Sequence, residues 1–134
     1  MAETIELEVA TPERQVVKDQ VDEIQVPGAN GFMGILPGHA PLLGHLGTGP
    51  LSYLCGGKRR YLAVRGGFIE VLPEQVRILA DLAERAEDID IAAARADLDR
   101  AQRQLADHSA DSAAAIDAVA LAQARIAAAE HKQA

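Results

Sequence analysis

The composition of the chain changes abruptly near residue 88, and this break limits the possible folds more than any other feature. All eleven glycines lie between Gly28 and Gly67, and all six prolines lie at or before Pro73. After Asp88 the chain is rich in alanine and contains neither residue. Glycine and proline punctuate turn-rich β-structure, whereas an alanine-rich segment without them is typical of helix. The sequence therefore predicts a β-domain over residues 1–87 and a helical domain over residues 88–134.

The first part contains eight or more short runs with the character of β-strands. Residues 4–10 show it best, because Ile5, Leu7 and Val9 alternate with polar residues at the period of a half-buried strand. Further apolar runs follow, separated by turn signals such as the glycine pair at 56–57. Many short strands at close spacing predict a β-sandwich or a flattened barrel.

The second part begins with a predicted helix from about residue 89 to 106, with Asp88 as its N-cap. Its apolar residues recur at intervals of three and four, which places them on one face of a helix. That stripe consists of Ile91, Ala94, Leu98, Ala101 and Leu105.

A second helix is predicted after a polar connector at residues 108–112, which holds residues typical of N-caps. The same three-four spacing recurs in Ile116, Val119, Gln123, Ile126 and Glu130, helped by Ala115, Ala122 and Ala129. Two helices joined by a short polar connector predict an antiparallel hairpin.

The predicted hairpin has narrow faces made mostly of alanine. Because the hydrophobic effect scales with buried apolar area, at roughly 25 cal/mol per Å², alanine contributes far less than leucine. The hairpin is therefore expected to be weakly held and able to open without losing its helices, as a conformational switch would. The alternative is a helical tail bathed in solvent, and the residues alone leave both open.

The stretch Gly31–Leu42 holds three glycines and two prolines within twelve residues. Pro37 and Pro41 lack amide donors, so a central strand cannot run through both. Between the first glycine and Pro37 lies the apolar run Phe32–Leu36. The pattern predicts a short buried strand that ends in a shaped loop.

Composition excludes several classes of function. The formal net charge of −7 argues against nucleic acid as a partner, because phosphate binding needs a basic face. No run approaches the ~20 apolar residues of a membrane span, and the acidic N-terminus is unlike a signal peptide. The single cysteine, Cys55, fits a reducing compartment as a small buried apolar residue. The sequence predicts a soluble, cytoplasmic protein without direct membrane insertion.

Motifs for catalysis or metal binding are not found in the sequence. It holds no phosphate-binding loop, no nucleophile elbow and no dinucleotide fingerprint. The histidines are not spaced as metal ligands with acidic or cysteine partners, so no metal is expected. His39 could act as a general base with the carboxylates of residues 81–90, but no nucleophile lies nearby in sequence. We therefore expect no catalytic residues and no enzyme.

Three motifs resemble the epsilon subunit of bacterial F-type ATP synthases, the rotary proton-translocating enzymes. The first is G-F-M-G-I-L-P-G-H-A-P-L-L at residues 31–43, where Met33 replaces the usual leucine. The second is V-R-G-G-F-I-E-V at residues 64–71, and the third is V-R-I-L-A-D at residues 76–81. They occur in the order and at the spacing of the family, and the resemblance covers nearly the whole chain.

The resemblance implies an α+β protein in which a β-sandwich of about ten strands precedes the helical hairpin. It implies a non-catalytic rotor subunit of the central stalk, which couples proton translocation to ATP synthesis. The implied partners are the gamma subunit, the ring of c subunits and the catalytic alpha/beta head, where the hairpin would inhibit ATP hydrolysis. The implied location is peripheral, on the cytoplasmic face of the inner membrane.

The resemblance also implies that the loop before and within the first motif faces the c-ring. By residue match, the contact would involve Asn30, Gly31, Phe32, Met33, His39 and Leu42. Phe32 departs from related sequences, which often carry a polar or acidic residue at this position. An exposed aromatic there would suit an apolar contact.

Some members of the family bind ATP in the hairpin, which gives an alternative function as a free-standing ATP-sensing module. Candidate residues for such a weak site are Glu84, Ile89, Asp90, Arg100, Arg103 and Arg125. Ala93 stands where the motif has its key arginine, and Arg95 would point about 200° away around the helix. Loss of a guanidinium removes a strong contact to phosphate, so ATP binding is expected to be weak or absent.

Overall fold

The computed structural model describes residues 3–107 and 111–131, and three residues of the predicted connector, 108–110, lie outside them. Eight strands, a 3₁₀ turn and two α-helices follow one another in the described chain. They are β1 (Ile5–Ala10), β2 (Gln15–Val21), β3 (Glu23–Gly28), β4 (Gly31–Ile35), β5 (Leu42–His45), β6 (Thr48–Cys55), β7 (Lys58–Val71), β8 (Gln75–Arg85), the turn Ala86–Asp88, α1 (Ile91–Ala106) and α2 (Ser112–Ala129).

The strands form a sandwich because β7 and β8 are long enough to run through both layers. In one layer β2 pairs with β1, β1 with residues 75–79 of β8, residues 76–80 of β8 with residues 67–71 of β7, and these with β5. In the other layer residues 82–85 of β8 pair with β7, β7 with β6, β6 with β3, and β3 with β4. The predicted sandwich is confirmed, and counting each half of β7 and β8 separately gives the ten strands expected.

The bend in β7 lies at Gly66 and Gly67, inside the second family motif. Both have positive φ, at 64° and 116°, which side chains disfavour. A Cβ at Gly67 would lie 2.0 Å from the carbonyl oxygen of Leu79, so the neighbouring strand also excludes one sterically. These glycines allow one strand to serve both layers.

The interior of the sandwich is built from aliphatic side chains of both layers. Ile5, Leu7 and Val9 of β1 are fully buried, as the alternation in the sequence predicts, and the glutamates between them are partly exposed. The core also includes Ile24, Val26, Ile35, Leu51, Leu62, Val64, Ile69, Val71, Val76 and Ile78. Cys55 is partly buried and packs against this core.

The two helices form an antiparallel hairpin that lies on the sandwich through α2. Ion pairs Arg95–Glu130 and Arg125–Asp97 join α1 to α2 and fix their opposite directions. α2 contacts β6 and β7, while α1 packs chiefly on α2. A separate small cluster fills the interface between α2 and the sandwich, formed by Ala63, Ala86, Ile89, Ala124, Ala128 and Ala129 with Tyr61 and Ile91 at its edge.

The structure corrects the predicted helix start and the predicted face of α2. Asp90, not Asp88, is the N-cap of α1, since its side chain accepts from the Ala93 amide. On α2 the buried residues are Ala115, Ala122, Ala124, Ala128 and Ala129, and Ile116 is exposed. The predicted alanines Ala115, Ala122 and Ala129 are therefore on the buried face, whereas the large residues of the predicted stripe are not fully buried, because close approach of α2 to its neighbours selects small side chains.

The strand that opens the glycine- and proline-rich stretch is not buried as predicted. In β4 only Ile35 is fully buried, and Phe32 projects into solvent. The strand lies at the edge of its layer, paired with β3, and a turn at Pro37-Gly38 follows. An edge position suits a segment that ends in proline.

By length and composition, α2 is also apolar enough to span a membrane, contrary to the sequence-based expectation. Its apolar character comes from repeated alanine rather than from large side chains. Asp117 and Arg125 lie within it and form ion pairs with other elements. Helices of soluble proteins meet the same criterion, so the finding alone supports no span.

Candidate protein-interaction site

The residues expected to face the c-ring gather at one edge of the sandwich, where β3 turns into β4. Asn30 lies in the turn, Gly31 begins β4 with φ of 130°, and Leu42 begins β5. Phe32 is 66% exposed, while Met33 packs against the core. They line a cavity of about 430 Å³ between β4 and β5, together with Gly28, Ala29, Leu43, Gly44 and His45. We call this the loop surface.

His39 is the one member of that predicted set that the structure does not bring to the cavity. It lies in the connection between β4 and β5, where its backbone amide donates to the Leu36 carbonyl. Its Nδ1 lies 2.6 Å from the Ala40 carbonyl oxygen, which is a local contact. The structure thus supports a role for His39 in shaping the loop.

A second apolar surface lies on the outer face of the sheet formed by β5, β7 and β8. Leu43, Phe68 and Leu79 are exposed there. They occupy outward-facing strand positions, where the usual alternation of buried and exposed residues would place polar side chains. Phe68 pairs with Leu79 across the strands and its ring lies 5.1 Å from that of His45. With Glu70 and Arg77, these residues line a shallow cavity of about 440 Å³. We call this the sheet-face patch.

Leu43 lines both cavities, so the loop surface and the sheet-face patch form one continuous apolar strip. Of the nine large apolar side chains that are exposed in the described residues, seven belong to the sandwich: Phe32, Leu36, Leu42, Leu43, Phe68, Leu72 and Leu79. Contiguous exposed apolar surface on a soluble protein marks an interaction site. The strip is therefore a surface suited to another protein.

Two charged groups beside the strip, Arg77 and Glu8, are paired with each other. The Arg77 guanidinium contacts the Glu8 carboxylate at 3.2 Å, and the Gln15 side chain donates to Glu8 at 2.6 Å. The hydrogen bond from Gln15, together with Arg77, lowers the pKa of Glu8. Paired charges make a polar rim that limits where a partner can lie.

The residues proposed for a weak ATP site are only partly brought together. Arg125 contacts Glu84 and Asp97, and Arg100 also pairs with Asp97. Arg100 and Arg125 line a cavity of about 350 Å³ between the helices.

The remaining members of that set have other roles. Arg103 pairs with Asp99 within α1, Asp90 caps the helix, and Ile89 is buried under α2. The cationic groups a phosphate would need are thus already engaged with carboxylates of the chain.

Residues 3–107 and 111–131 contain no group of three or more histidine, cysteine, aspartate or glutamate side chains placed to hold a metal ion. Burial raises the pKa of the Tyr53 hydroxyl, and this residue belongs to the core of the sandwich.

Sequence reasoning missed the sheet-face patch and the contacts of Arg125. A signal for the patch existed, since Phe68 and Leu79 occupy strand positions that alternate with the buried Ile69 and Ile78. Large apolar residues on both faces of a strand indicate that both faces are covered in the assembled protein. The family resemblance placed Arg125 and Glu84 in one candidate nucleotide site, but no local pattern predicts their direct contact, because 41 residues separate them.

Comparison with known proteins agrees with the three motifs. The family described as ATP synthase, Delta/Epsilon chain, beta-sandwich domain matches residues 4–86. The ATP synthase epsilon chain of Solibacter usitatus is 55% identical over 134 residues, covering 98% of this chain and 100% of that one. This chain belongs to the ATP synthase epsilon-chain family. The resemblance carried by the motifs is thereby confirmed.

Other relatives extend the match across bacteria. The ATP synthase epsilon chain of Koribacter versatilis is 51% identical over 105 residues, which is 78% of this chain and 74% of that one. Among solved structures, a chain of the Euglena gracilis mitochondrial ATP synthase with OSCP, F1 and c-ring matches with a TM-score of 0.78 at 24% identity. It covers 90% of this chain and 78% of that chain, and at this identity the likeness concerns the fold.

Proposed function

We propose that this chain is a rotor subunit of the central stalk of an F-type ATP synthase, where it helps to couple proton translocation to ATP synthesis. Its membership of the epsilon chains supports this role. The observation that carries the proposal is the continuous apolar strip from Phe32 to Leu79, because a free-standing protein would leave it in water. The chain contributes no catalytic residue of its own.

The sheet-face patch is the surface that holds the gamma subunit. It is a shallow surface with Leu43, Phe68 and Leu79 exposed and the Glu8–Arg77 pair beside them, which suits an interface core with a polar rim. The loop surface, at the adjoining edge, lies against the c-ring, with Phe32 as its most exposed side chain. One sandwich thus joins two parts of the rotor through neighbouring surfaces.

Residues 1–87 and 88–134 serve different purposes in this proposal. The first unit is the clamp, and the second is a brake that suppresses ATP hydrolysis when it leaves the sandwich and reaches the catalytic head. The small alanine interface beneath α2 supports such release, since little apolar area must be exposed. The subunit is peripheral to the membrane, on its cytoplasmic face.

The proposed contact of the sheet-face patch with the gamma subunit is tested by substituting serine at two positions of similar exposure. Leu79 in the patch is 52% exposed and Ile116 on α2 is 58% exposed, so both changes remove similar surface. Leu79→Ser should weaken binding to the purified gamma subunit at least about tenfold, as loss of an interface anchor does. Ile116→Ser should bind as the parent chain does. Equal affinities for the two variants would contradict the assignment of the patch.

The ring contact is tested with Phe32→Ser in a reconstituted enzyme. We expect gamma binding to persist, while ATP-driven proton pumping falls relative to ATP hydrolysis because the ring contact is lost. Gln25→Ser, an exposed change on the neighbouring β3, is the control. Unchanged pumping in the Phe32 variant would exclude the loop surface as a coupling contact.

The brake is tested by comparing ATP hydrolysis with the full chain and with a truncation after residue 87. Both should bind the gamma subunit, and only the full chain should suppress hydrolysis. Suppression by the truncated chain would show that the hairpin is not the brake. The alternative of a nucleotide sensor gains no specific support, since Arg125 is occupied by carboxylates and Ala93 offers no charge.

A further inference from the structure

Polar contacts decide how firmly the hairpin is held, because the apolar interface beneath it is small. That interface consists of alanines with Ile89 and the partly buried Tyr61 and Ile91. Three polar or aromatic contacts tie α2 to the sandwich in the described residues: Arg125 with Glu84, Arg65 with Asp117, and the ring of His131 stacked on Tyr61 at 4.0 Å. Of these contacts, the one least accessible to solvent contributes most to holding the hairpin on the sandwich.

Arg125 on α2 contacts both β8 and α1, so one side chain joins three elements. Its Nε lies 2.8 Å from Glu84 Oε1 on β8, and its Nη2 donates to Glu84 Oε2 at 3.3 Å. Its Nη1 donates to Asp97 Oδ2 on α1, also at 3.3 Å. The buried Nε–H is not directed at an acceptor, so the Nε contact with Glu84 is electrostatic. One guanidinium on α2 therefore holds both the sandwich and the other helix.

The surroundings of Arg125 set it apart from the other ion pairs of the hairpin. Its side chain is 20% exposed and those of Glu84 and Asp97 are 29% and 42% exposed, so water weakens their attraction less than it weakens that of fully exposed pairs. Arg65–Asp117 and Arg95–Glu130 are more exposed, and Arg103–Asp99 lies within α1. Among the described residues, Arg125 makes the most protected charge contact between hairpin and sandwich.

We propose that Arg125 is an internal latch that keeps the hairpin folded on the sandwich by means of the chain's own carboxylates, without any nucleotide. Glu84 and Asp97 are held close by one cation, so removal of the cation leaves two carboxylates that repel each other. The repulsion would push α1 and α2 away from β8. This inference rests on the proposed function, in which the released hairpin is the form that brakes hydrolysis.

The latch also predicts what opens it. Ionic strength weakens Arg125–Glu84 and Arg125–Asp97 together, whereas the buried alanines respond little to salt. Release should therefore increase with salt concentration. A nucleotide is not required to close the latch, because its phosphates would have to displace two carboxylates already in place.

The test uses hydrogen exchange of the full chain with Arg125→Met and Arg103→Met. Methionine has a helix propensity close to that of arginine, and Arg103 pairs only within α1, so the second variant is the matched control. In Arg125→Met the amides of α2 should exchange at least about tenfold faster than in Arg103→Met. The core strands, reported by amides near Ile69 and Ile78, should keep their protection in both, which shows that the variants fold. Equal α2 exchange in the two variants would overturn the latch.

Three further experiments sharpen the result. Raising the salt from about 0.05 M to 0.5 M should accelerate α2 exchange more in the parent chain and in Arg103→Met than in Arg125→Met, where the Arg65–Asp117 pair is the remaining ion pair to the sandwich among the described residues. The exchanged pair Glu84→Arg with Arg125→Glu should recover part of the lost protection, because opposite charges again meet between β8 and α2. Magnesium ATP at about 1 mM, far above a typical micromolar dissociation constant, should leave the parent chain unchanged. A tenfold slowing by ATP would overturn the nucleotide-independent latch.

Hydrolysis by the reconstituted enzyme separates this inference from the function on which it rests. If Arg125→Met frees the hairpin and also deepens the inhibition of ATP hydrolysis, both proposals are supported: Arg125 is the latch and the hairpin is the brake. If exchange shows release while hydrolysis is unchanged, the latch holds and the brake is wrong. If exchange shows no release, the latch is wrong, and the truncation after residue 87 still decides the brake.

Discussion

The interior of the sandwich and the interface beneath the hairpin are built from apolar side chains of different size. Between the two layers lie fully buried isoleucine, leucine and valine side chains such as Ile5, Leu7 and Ile69. Beneath α2 lie Ala63, Ala124 and Ala128, with Ile89 as the one large, fully buried side chain. Burying a large aliphatic side chain contributes about 1.5–3 kcal/mol, and a single methyl group contributes about 0.8 kcal/mol. One chain therefore holds two regions of very different resistance to opening.

This difference suits the two tasks proposed for them. A clamp must keep its shape while the rotor turns, and a brake must leave its resting place at modest cost. Local opening follows the density of buried apolar contacts, so the hairpin should open while the sandwich stays closed. The dependence runs in one direction, because the hairpin needs the folded sandwich as a surface and the sandwich does not need the hairpin.

The largest effect is expected from Gly67→Ala, at the bend of β7. The new Cβ would meet the Leu79 carbonyl oxygen at 2.0 Å and would force alanine into a positive φ. We expect a loss of at least about 3 kcal/mol in the free energy of unfolding, measured by urea denaturation.

Gly57→Ala is the control for that change, because Gly57 also has positive φ and no atom within 4 Å of its added Cβ. It should cost about 1 kcal/mol. In Gly67→Ala both regions should lose protection together, since the hairpin has no surface without the sandwich. A loss confined to the hairpin would contradict the one-way dependence.

An intermediate effect is expected from Ala128→Leu, which overpacks the interface beneath α2. Ala128 is fully buried against the sandwich, so a larger side chain must push the helix away, at about 1–3 kcal/mol. Hydrogen exchange should quicken in α1 and α2 while the melting temperature of the sandwich stays constant. Ala113→Leu, an exposed change in the same helix, should leave both unchanged. A parallel shift in the sandwich would mean that the two regions unfold as one unit.

The smallest effect is expected from Glu8→Gln, on the outer face of β1. The folded pKa of Glu8 is lowered by the Gln15 hydrogen bond and by Arg77, so the ionised form stabilises the fold. That stability is present above the ordinary carboxyl pKa of 4.5 and is lost as the pH falls through the lower folded pKa.

The melting temperature of the parent chain should therefore exceed that of Glu8→Gln at pH 7, and the gap should close as the pH is lowered below 4.5. Glu74→Gln, at an exposed position in the turn before β8, is the control and should melt as the parent chain does at pH 7. A constant difference between parent and Glu8→Gln at all pH values would mean that the contact of Glu8 with Arg77 does not depend on its charge.

Much of the fold could be predicted because its signals are local. The alternation of β1 comes from neighbouring residues, and the helix of Ile91–Ala106 lies within two residues of its predicted start. The site was predicted less well. The residues of the loop surface were named from a motif, although their strand was wrongly predicted to be buried, whereas the sheet-face patch combines residues from three separate strands. Such a combination depends on strand register, which no single segment encodes.

The sequence by itself determined the change from β-structure to helix, the bend at Gly66-Gly67 and the family, because each rests on residue type at a fixed position. The tertiary structure alone decided which face of α2 is buried and that Arg125 meets Glu84 and Asp97. Alanines differ too little from their neighbours in hydrophobicity to mark a face. Charges 28 and 41 residues apart become partners only after the chain has brought the helix onto the sheet.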